Sequence, residues 1–414
     1  MTTVVEQLHV TLDHQIAQRY HPVPFTVAAD SPSVSVALSY DTGRGVVDLG
    51  CEGPAGWRGW SGGARDRFTI TPDVATPGYL PGELEPGTWQ VVLGLHQLPA
   101  EGLDVRVEIS TPATEPPERE RRAAPVTRTV RGSDRDLPAP PGLRWYAGDF
   151  HAHTVHSDGS ESISELAVRG VRAGLDFVAV TDHNTVSHHP HLAGVGAEHG
   201  IGLLPGQEVT TSRGHANALG DIGWVDFRRP ASSWVQEVAE RGGVLSVNHP
   251  VDGDCAWQHP LDVLPAALEL WHISWFRDLT HTGALAFRQR WDGPVTLLGG
   301  SDFHRPEQGW TLGTPTTWVA AEDPSPEAVL AGVRAGRTAI SVGVGPDAVP
   351  RPLSAPVLLR VEDDVVAVGG EGTVLVDADG RRRRITSDRL SVPGDWGRGI
   401  LHLQDADRRV LAIC

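Results

Sequence analysis

What is scarce in the 414-residue sequence already excludes several classes of protein. There is no lysine, so every basic side chain is arginine, and 52 acidic residues outnumber 35 basic ones, which argues against a general nucleic-acid or anionic-membrane surface. The three cysteines, Cys51, Cys255 and Cys414, are far apart, so we expect neither a disulfide framework nor a cysteine zinc site. No apolar run approaches membrane-spanning length and the N-terminus lacks a signal-peptide pattern, which favours a cytoplasmic protein without membrane contact.

The first 115 residues have the pattern of a β domain. Apolar residues alternate with small or polar ones, as at Val34, Val36 and Leu38, and Pro-Gly pairs separate the alternating stretches. This is typical of strands with one buried face and tight turns between them. We therefore predict a β-sandwich over residues 1–115. None of its histidines has ligand spacing, so we expect this domain to be dispensable for any metal binding.

The sequence pattern changes three times after this domain. Residues 116–144 are rich in Pro, Arg and Glu, which predicts a linker. Strand and helix patterns alternate over residues 145–343, which predicts a mostly parallel α/β region, including a helix with Pro326 in its first position. Residues 344–414 predict a small C-terminal β domain. We interpret the four arginines at 381–384 as a solvated hairpin arm rather than a nucleic-acid patch.

Two histidines stand two residues apart at the end of the first α/β strand. His151 and His153 would point to the same face, because strand side chains alternate, so both imidazoles could reach one metal ion. Asp158 follows on the turn and could add a carboxylate. Ser162 and Glu165 then form a capping box that opens a helix. The cluster thus lies where a strand leads into a helix, which is where α/β folds place their chemistry.

The other predicted strands of this region are also followed closely by side chains that could bind a metal. These residues are His183, Glu208, His215, His249, Asp302 and His304. Counting the first stretch, nine potential ligands lie near strand ends, six of them histidines and three carboxylates. Mixed imidazole and carboxylate ligands suit Zn, Mn or Fe and argue against Ca or Cu(I).

These motifs together resemble the PHP (polymerase and histidinol phosphatase) family. His-x-His with an aspartate five residues on, Asp-His-Asn, a Glu followed by a His, Asn-His-Pro and Ser-Asp-x-His fill nine ligand positions over about residues 145–343. The flanking β domains and the Gly-Gln-Glu-Val and Gly-His-Ala-Asn motifs are similar to the carbaryl-hydrolase-like branch. The resemblance implies an α/β fold, a distorted (β/α)7 barrel between an N-terminal β-sandwich and a small C-terminal β domain, with two to three divalent metals in a cleft.

The resemblance also implies which residues hold which ion. The first ion would be held by His151, His153, Glu208 and Asp302, the second by Asp158, His183 and His304, and the third by Glu208, His215 and His249. A hydroxide that bridges the metals would be the nucleophile, and the remaining positive charge would stabilise an anionic substrate or transition state. We therefore predict a metal-dependent hydrolase, with a phosphoester as the first choice of substrate.

Further candidates near the strand ends bear on the substrate. His272 follows a strand and could donate a proton, and Arg305 beside His304 could contact a phosphate. The runner-up is a small carboxylic or carbamic aryl ester, because four aromatic residues could form an apolar wall for an aryl group: Trp257, Trp271, Trp275 and Phe276.

Three other interpretations of the sequence are weaker. Amidohydrolase barrels also begin with His-x-His, but many bridge their metals with a carboxylated lysine, and this chain has no lysine. A non-catalytic metal-binding scaffold would be expected to have lost ligands, and all nine positions are filled. A proofreading exonuclease would need a basic groove for nucleic acid, which the acidic composition does not provide. The oligomeric state stays open.

Overall fold

The computed structural model describes residues 2–127, 129–273, 283–342, 354–393, 396 and 399–414. The chain divides into two units. The first, called here the sandwich unit, comprises the chain up to Arg121 together with residues 153–162 and 182–190. The second, called here the sheet unit, comprises residues 122–152, 163–181 and 191–414.

The sandwich unit contains two four-stranded antiparallel sheets. Its elements are β1 (Thr2–Val10), α1 (Leu12–Ala17), β2 (Tyr20–Val27), β3 (Val34–Tyr40), β4 (Val46–Gly53), β5 (Gly56–Gly62), β6 (Arg67–Ile70), β7 (Gly87–Gln97) and β8 (Leu103–Thr111). One sheet has the order β1-β8-β3-β6 and the other β2-β7-β4-β5. Alternate apolar residues of both sheets, such as Val36 in β3 and Trp89 in β7, are buried in one shared core. The strands predicted from the alternation are therefore confirmed.

The sheet unit is built on a 13-stranded mixed sheet. Up to residue 342 its strands are β9 (Arg144–Asp149), β10 (Phe177–Val180), β11 (Gly202–Thr211), β12 (Gly214–Leu219), β13 (Val244–Val247), β14 (Ala267–His272), β15 (Thr296–Gly300), β16 (Thr316–Ala321) and β17 (Thr338–Ser341). The helices are α2 (Ile163–Arg172), α3 (His189–His199), α4 (Ala231–Glu240), α5 (Gly283–Arg288) and α6 (Pro326–Arg334). Helix α6 begins at Pro326, as predicted, and its Ser325 cap accepts from the backbone amide of Ala328.

The predicted distorted (β/α)7 barrel is not shown by the described residues, which instead form a mixed α/β fold with large sheets and few helices. Strand β12 follows β11 after two residues and pairs with it antiparallel, so no helix separates these strands. Strand β16 is also antiparallel to its neighbours β9 and β17. Among the strands that the structure describes, only β9, β10 and β11, and then β13, β14 and β15, form parallel series.

The C-terminal residues add short strands to the sheet unit. They are β18 (Val357–Val361), β19 (Asp364–Val368), β20 (Val374–Val376), β21 (Arg382–Arg384), β22 (Arg389–Pro393), β23 (His402–Gln404) and β24 (Val410–Ile413). Strand β24 pairs with β17, so the 13-stranded sheet continues into this region. A turn at Asp379 and Gly380 joins β20 to β21, as expected for the predicted hairpin arm, and Gly380 has the positive φ (79°) that such a turn requires. The three domains and the linker proposed from the sequence stay a prediction.

Among the described residues, no helix combines the length and the apolarity that a membrane crossing needs.

Candidate metal centre

Side chains on or next to strands of the sheet unit come together around the carboxylates of Glu208, Glu269 and Asp302. We call them the strand-end cluster; it comprises His151, Glu208, His215, His249, Glu269, His272 and Asp302. Most follow or end parallel strands, whereas His215 lies at the start of β12, which runs antiparallel to β11. His151 follows β9, His249 follows β13, Asp302 follows β15, and His272 ends β14. Glu208 lies in β11 beyond the residues that pair with β10. Parallel strands bring their carboxyl ends to one edge of a sheet, which explains why residues far apart in sequence meet here.

Glu208 is the centre of this cluster. Its Oε1 atom lies 3.2 Å from Nε2 of His151, 3.2 Å from Nδ1 of His215 and 3.2 Å from Nε2 of His249. Asn248 donates to the same oxygen at 2.8 Å. Ligand atoms ~2.1 Å from an ion are about 3.0–3.4 Å apart in octahedral or tetrahedral geometry. The spacing and the chemistry of these donors therefore fit a divalent transition metal.

Glu269 is a site residue that the sequence reasoning missed. Its Oε1 atom lies 3.0 Å from Nδ1 of His151, and its Oε2 accepts from the backbone amide of His249 at 2.7 Å. A proton on Nδ1 of His151 therefore points at Glu269, which leaves Nε2 facing Glu208 and Asp302. Histidines that bind metals commonly donate their other ring N–H to a carboxylate in this way. The signal was available, because Glu269 is charged within an otherwise apolar strand.

Electrostatics in the strand-end cluster favour charged groups in spite of burial. Burial alone would lower the pKa of His151, but Glu208, Asp302 and Glu269 outweigh it and hold that pKa well above its usual range. Burial would likewise lower the pKa of His249, but its hydrogen bond to Glu208 and the other carboxylates raise it. The pKa of Glu269 moves down, because the histidines His151 and His272 outweigh the effect of burial. The carboxyl group of Glu269 is thus favoured in its ionised form although it is buried, as a group that supports a cation site should be.

The backbone around the cluster is held by a buried aspartate and is strained at two predicted ligands. Asp149, the last residue of β9, accepts from the backbone amides of His151 (3.1 Å), Ser301 (3.1 Å) and Gly313 (2.6 Å). His249 and Asp302 adopt positive φ values of 24° and 48°. Positive φ costs a non-glycine residue free energy and is found most often at functional sites, so the fold stabilises these two conformations for the positions of their side chains.

Three further predicted residues lie around Asp302. His272 is buried, and its Nε2 atom lies 3.4 Å from Oδ2 of Asp302. His304 places Nδ1 2.9 Å from the carbonyl oxygen of Asp302. Arg305 is exposed, and its backbone amide donates to the Gln308 side chain. The structure thus brings His272 into the strand-end cluster and His304 to its edge, whereas the Arg305 side chain faces solvent.

The remaining predicted ligands form a second group in the sandwich unit. We call His153, Asp158 and His183 the loop cluster. The rings of His153 and His183 stack with centroids 4.3 Å apart, and Nε2 of His183 lies 3.5 Å from Oδ1 of Asp158. All three offer ligand atoms within 4.8 Å of one another. His153 is buried, His183 is 19% exposed and Asp158 is 46% exposed at the side chain, so this cluster is more open to solvent than Glu208 and His151.

Asp182, also missed by the sequence reasoning, ties the two loops of this cluster together. It accepts from the amide and hydroxyl of Thr154 (2.8 and 2.7 Å) and from the hydroxyl of Ser157 (2.6 Å). Burial would raise the pKa of Asp182, but nearby His188, His156 and His153 outweigh it and lower that pKa. An ionised Asp182 thus fixes the segment between His153 and Asp158.

Gly159 allows the turn after Asp158 to close. A Cβ at this position would lie 2.5 Å from the carbonyl carbon and oxygen of His153 and 2.6 Å from the amide nitrogen of Thr154. Any side chain would push this backbone apart. The glycine that follows Asp158 in the sequence is therefore required by the close approach of the chain to its own ligand residue.

Some side chains that the sequence placed near the substrate are positioned differently. Trp271 is fully buried, so it cannot form an accessible wall, and Trp257 packs against Trp234 and His259. Trp275 and Phe276 lie outside the described residues.

Comparison with known proteins gives distant likenesses. No family model matches the chain. The "Uncharacterized protein MJ1587" of Methanocaldococcus jannaschii is 24% identical over 118 residues, which are 26% of this chain and 69% of that protein. A two-domain protein from Bacteroides vulgatus that contains a predicted PHP-like metal-dependent phosphoesterase is 18% identical, with a TM-score of 0.40 over 71% of this chain and 98% of its own. A proposed metal-dependent phosphoesterase from Bifidobacterium adolescentis is 19% identical, with a TM-score of 0.31 over 38% and 87% of the two chains.

Proposed function

We propose that this protein is a metal-dependent hydrolase of the PHP type that acts on a small phosphoester. The observation that carries the proposal is the convergence of His151, His215 and His249 on one oxygen of Glu208, each at 3.2 Å. Three imidazoles, two of them buried, around the buried carboxylate of Glu208 are an arrangement that suits a metal centre. The family assignment rests on the nine motif residues, which provide the ligands of both clusters.

The donor set supports two to three divalent ions, with Zn, Mn and Fe as the candidates. In the strand-end cluster the ligands would be His151, Glu208, His215, His249 and Asp302, and in the loop cluster His153, Asp158 and His183. His304 would complete the set. Bound divalent ions would supply a hydroxide nucleophile at neutral pH and positive charge for the transition state.

The protein side chains would orient the ligands and handle protons. Glu269 holds the proton of His151 at Nδ1, so that Nε2 can act as a ligand. Asn248 donates to Glu208 and fixes the carboxylate that three histidines share. The Nε2 atom of His272 lies 3.4 Å from Oδ2 of Asp302, and His272 would be the candidate to donate a proton to the leaving group.

One observation counts against the aryl ester that is the runner-up, and Arg305 remains the candidate contact for a phosphoester. Arg305 follows the predicted ligand His304 and is exposed, so its guanidinium would be accessible to an anionic substrate. An aryl ester would need the apolar wall predicted from the sequence. Trp271 is fully buried and cannot line such a wall, and Trp257 packs against Trp234.

A substrate screen of the full chain loaded with Mn²⁺ or Zn²⁺ tests the proposal. Phosphomonoesters and phosphodiesters should be hydrolysed faster than aryl carbamates or carboxylic esters, and inorganic phosphate should inhibit competitively. Arg305→Ala should raise KM with a smaller effect on kcat, whereas Arg144→Ala, an exposed arginine at the far end of β9, should change neither. Turnover of an aryl carbamate or ester that exceeds every phosphoester by orders of magnitude would reverse the assignment.

A further inference from the structure

The two segments that carry the loop cluster belong to the same compact unit as the N-terminal β-sandwich. Residues 153–162 carry His153 and Asp158, and residues 182–190 carry His183. Nothing in the sequence of the sandwich suggested this, because none of its own residues has ligand spacing. The hydrogen bonds between the sandwich and these segments show how the ligands are held.

Arg65 fixes the first segment. This residue lies between β5 and β6, and its guanidinium donates to the backbone carbonyls of Val155 (2.6 Å) and Ser157 (3.1 Å). Both carbonyls lie between His153 and Asp158 in the chain. The Arg65 side chain is only 14% exposed, so these bonds form where water competes little for the donors.

The second segment is held by two other parts of the sandwich. The hydroxyl of Thr185 donates to the carbonyl of Gly78 (2.8 Å), and the amide of Gly78 donates to the hydroxyl of Ser187 (3.1 Å). The indole N–H of Trp57 donates to the carbonyl of Asn184 at 3.3 Å. Asn184 follows His183 directly and has a positive φ of 55°, so the sandwich stabilises a strained residue next to a ligand.

His156 links the two segments to the end of the sandwich chain. Its Nδ1 atom lies 2.7 Å from the hydroxyl of Ser187, and its Nε2 atom lies 2.7 Å from a carboxylate oxygen of Glu120. His156 and Ser187 are buried. His156 is therefore part of a polar network that is largely buried.

We propose that the N-terminal sandwich is a structural part of the metal site, and that Arg65 is a positioning residue for the loop cluster. The reason is preorganisation: ligands on loops bind an ion tightly only if the loops are already held in the binding geometry. Arg65 contributes to this by donating to two carbonyls of the His153–Asp158 segment, in addition to the hydrogen bonds that Asp182 accepts from Thr154 and Ser157 of the same segment. The sequence led us to expect the opposite, that the sandwich is dispensable for metal binding.

The inference rests on the metal-binding function proposed above, and metal affinity measured on the full chain tests it. Co²⁺ serves as the probe, with calorimetry and the visible absorption of the bound ion as readouts. Arg65→Met should weaken one class of Co²⁺ site by about 10- to 100-fold, the usual effect of removing a group that orients a metal ligand. The visible absorption band of the Co²⁺ bound at this class of site should also change, while the remaining Co²⁺ sites keep the wild-type affinity.

Two variants keep the result interpretable. Arg67→Met is the matched control, because Arg67 is 57% exposed and pairs with Asp66 and Glu115 of its own unit; it should bind Co²⁺ as the wild type does. Arg65→Lys should recover part of the affinity, because an ammonium group can replace one of the two carbonyl contacts.

The outcomes separate this inference from the proposed function. If Arg65→Met does not fold, Thr185→Val removes the Gly78 contact instead and should weaken the same class of site. If wild-type protein binds no Co²⁺, the proposed function fails. If folded Arg65→Met and Thr185→Val both bind Co²⁺ with wild-type affinities at every site, the sandwich has no part in the metal site and this inference alone is overturned.

Discussion

The strand-end cluster and the loop cluster use the same kinds of ligand but are built in different ways. His151 and Glu208 are fully buried on or next to strands, and Glu208, Glu269 and Asp302 give the strand-end cluster three carboxylates. The loop cluster has one carboxylate, Asp158, on an exposed turn. Its order comes from hydrogen bonds to the sandwich and to Asp182 rather than from a ladder of strands.

This difference shows that one set of sequence motifs can be supported by two kinds of structure. The sheet fixes the first cluster through its backbone pairing and a shared buried carboxylate. Polar contacts that are individually weak fix the second cluster, so we expect it to be the easier of the two to loosen. The predictions below test this contrast.

Glu208→Gln should have the largest effect, because three histidines share the carboxylate that it neutralises. We expect strand-end metal affinity and turnover to fall by more than about 100-fold, beyond the usual effect of changing a group that only orients a ligand. His215→Ala should cost less, since it removes one of the three partners. The measurements are metal content by elemental analysis and turnover, made on both variants in parallel. Equal losses of metal and turnover in Glu208→Gln and His215→Ala would show that the three histidines do not share the Glu208 carboxylate.

Glu269→Gln should weaken metal binding at the strand-end cluster by about 10- to 100-fold and leave the loop cluster unchanged. The amide can still contact His151, but it no longer stabilises the ring as an anion does. Glu237→Gln on α4, which breaks ion pairs with Arg229 and Arg241, is the control and should bind metal normally. Co²⁺ titration provides the measurement. A normal titration of Glu269→Gln would remove Glu269 from the site.

Metal binding to the strand-end cluster should release protons near neutral pH. Without an ion, the carboxylates hold the pKa of His151 well above its usual range and raise that of His249, so an ion must displace protons that these rings still carry. Affinity should therefore fall as pH falls. Calorimetric titration of Zn²⁺ in buffers of different ionisation enthalpy counts the protons, and a heat that is independent of the buffer would contradict the expected protonation.

The smallest expected effect concerns the sheet unit without metal. His259 contacts Thr211 of β11, and burial, with help from Arg213 and His215, lowers its pKa from 6.5 to about 4. The unfolded chain therefore binds a proton more readily, and stability contributed by this residue should be lost as pH falls from about 6.5 to 4. Urea unfolding at several pH values should show a shallower decline for His259→Gln than for the wild type. If the free energy of unfolding declines with the same slope against pH in both proteins, His259 has no role in this pH dependence.

The sequence predicted which side chains come together better than it predicted what supports them. Histidine and carboxylate near strand ends were enough to predict that His151, Glu208 and His249 lie together, and the Ser325 cap with Pro326 located α6. Glu269 was missed because we took a single acidic residue in an apolar strand to be an ordinary strand residue rather than evidence of a site.

Longer-range features were not accessible from the pattern. The contacts from Arg65 to Val155 and Ser157 join residues about 90 positions apart, and local periodicity carries no information about such pairs. The described residues do not show the predicted (β/α)7 barrel, and the strand pairing that they do show was inaccessible for a similar reason. Strand pairing direction, as between β11 and β12 or β9 and β16, is set by tertiary packing rather than by local sequence.

The most direct test of the central claim is anomalous X-ray diffraction from crystals of the full chain grown with Mn²⁺ or Zn²⁺. We predict two to three ions per chain, one of them about 2.1 Å from Glu208 and the histidines around it, and another bound by His153, Asp158 and His183. A folded protein that shows no anomalous peak at either cluster in excess metal would contradict the account.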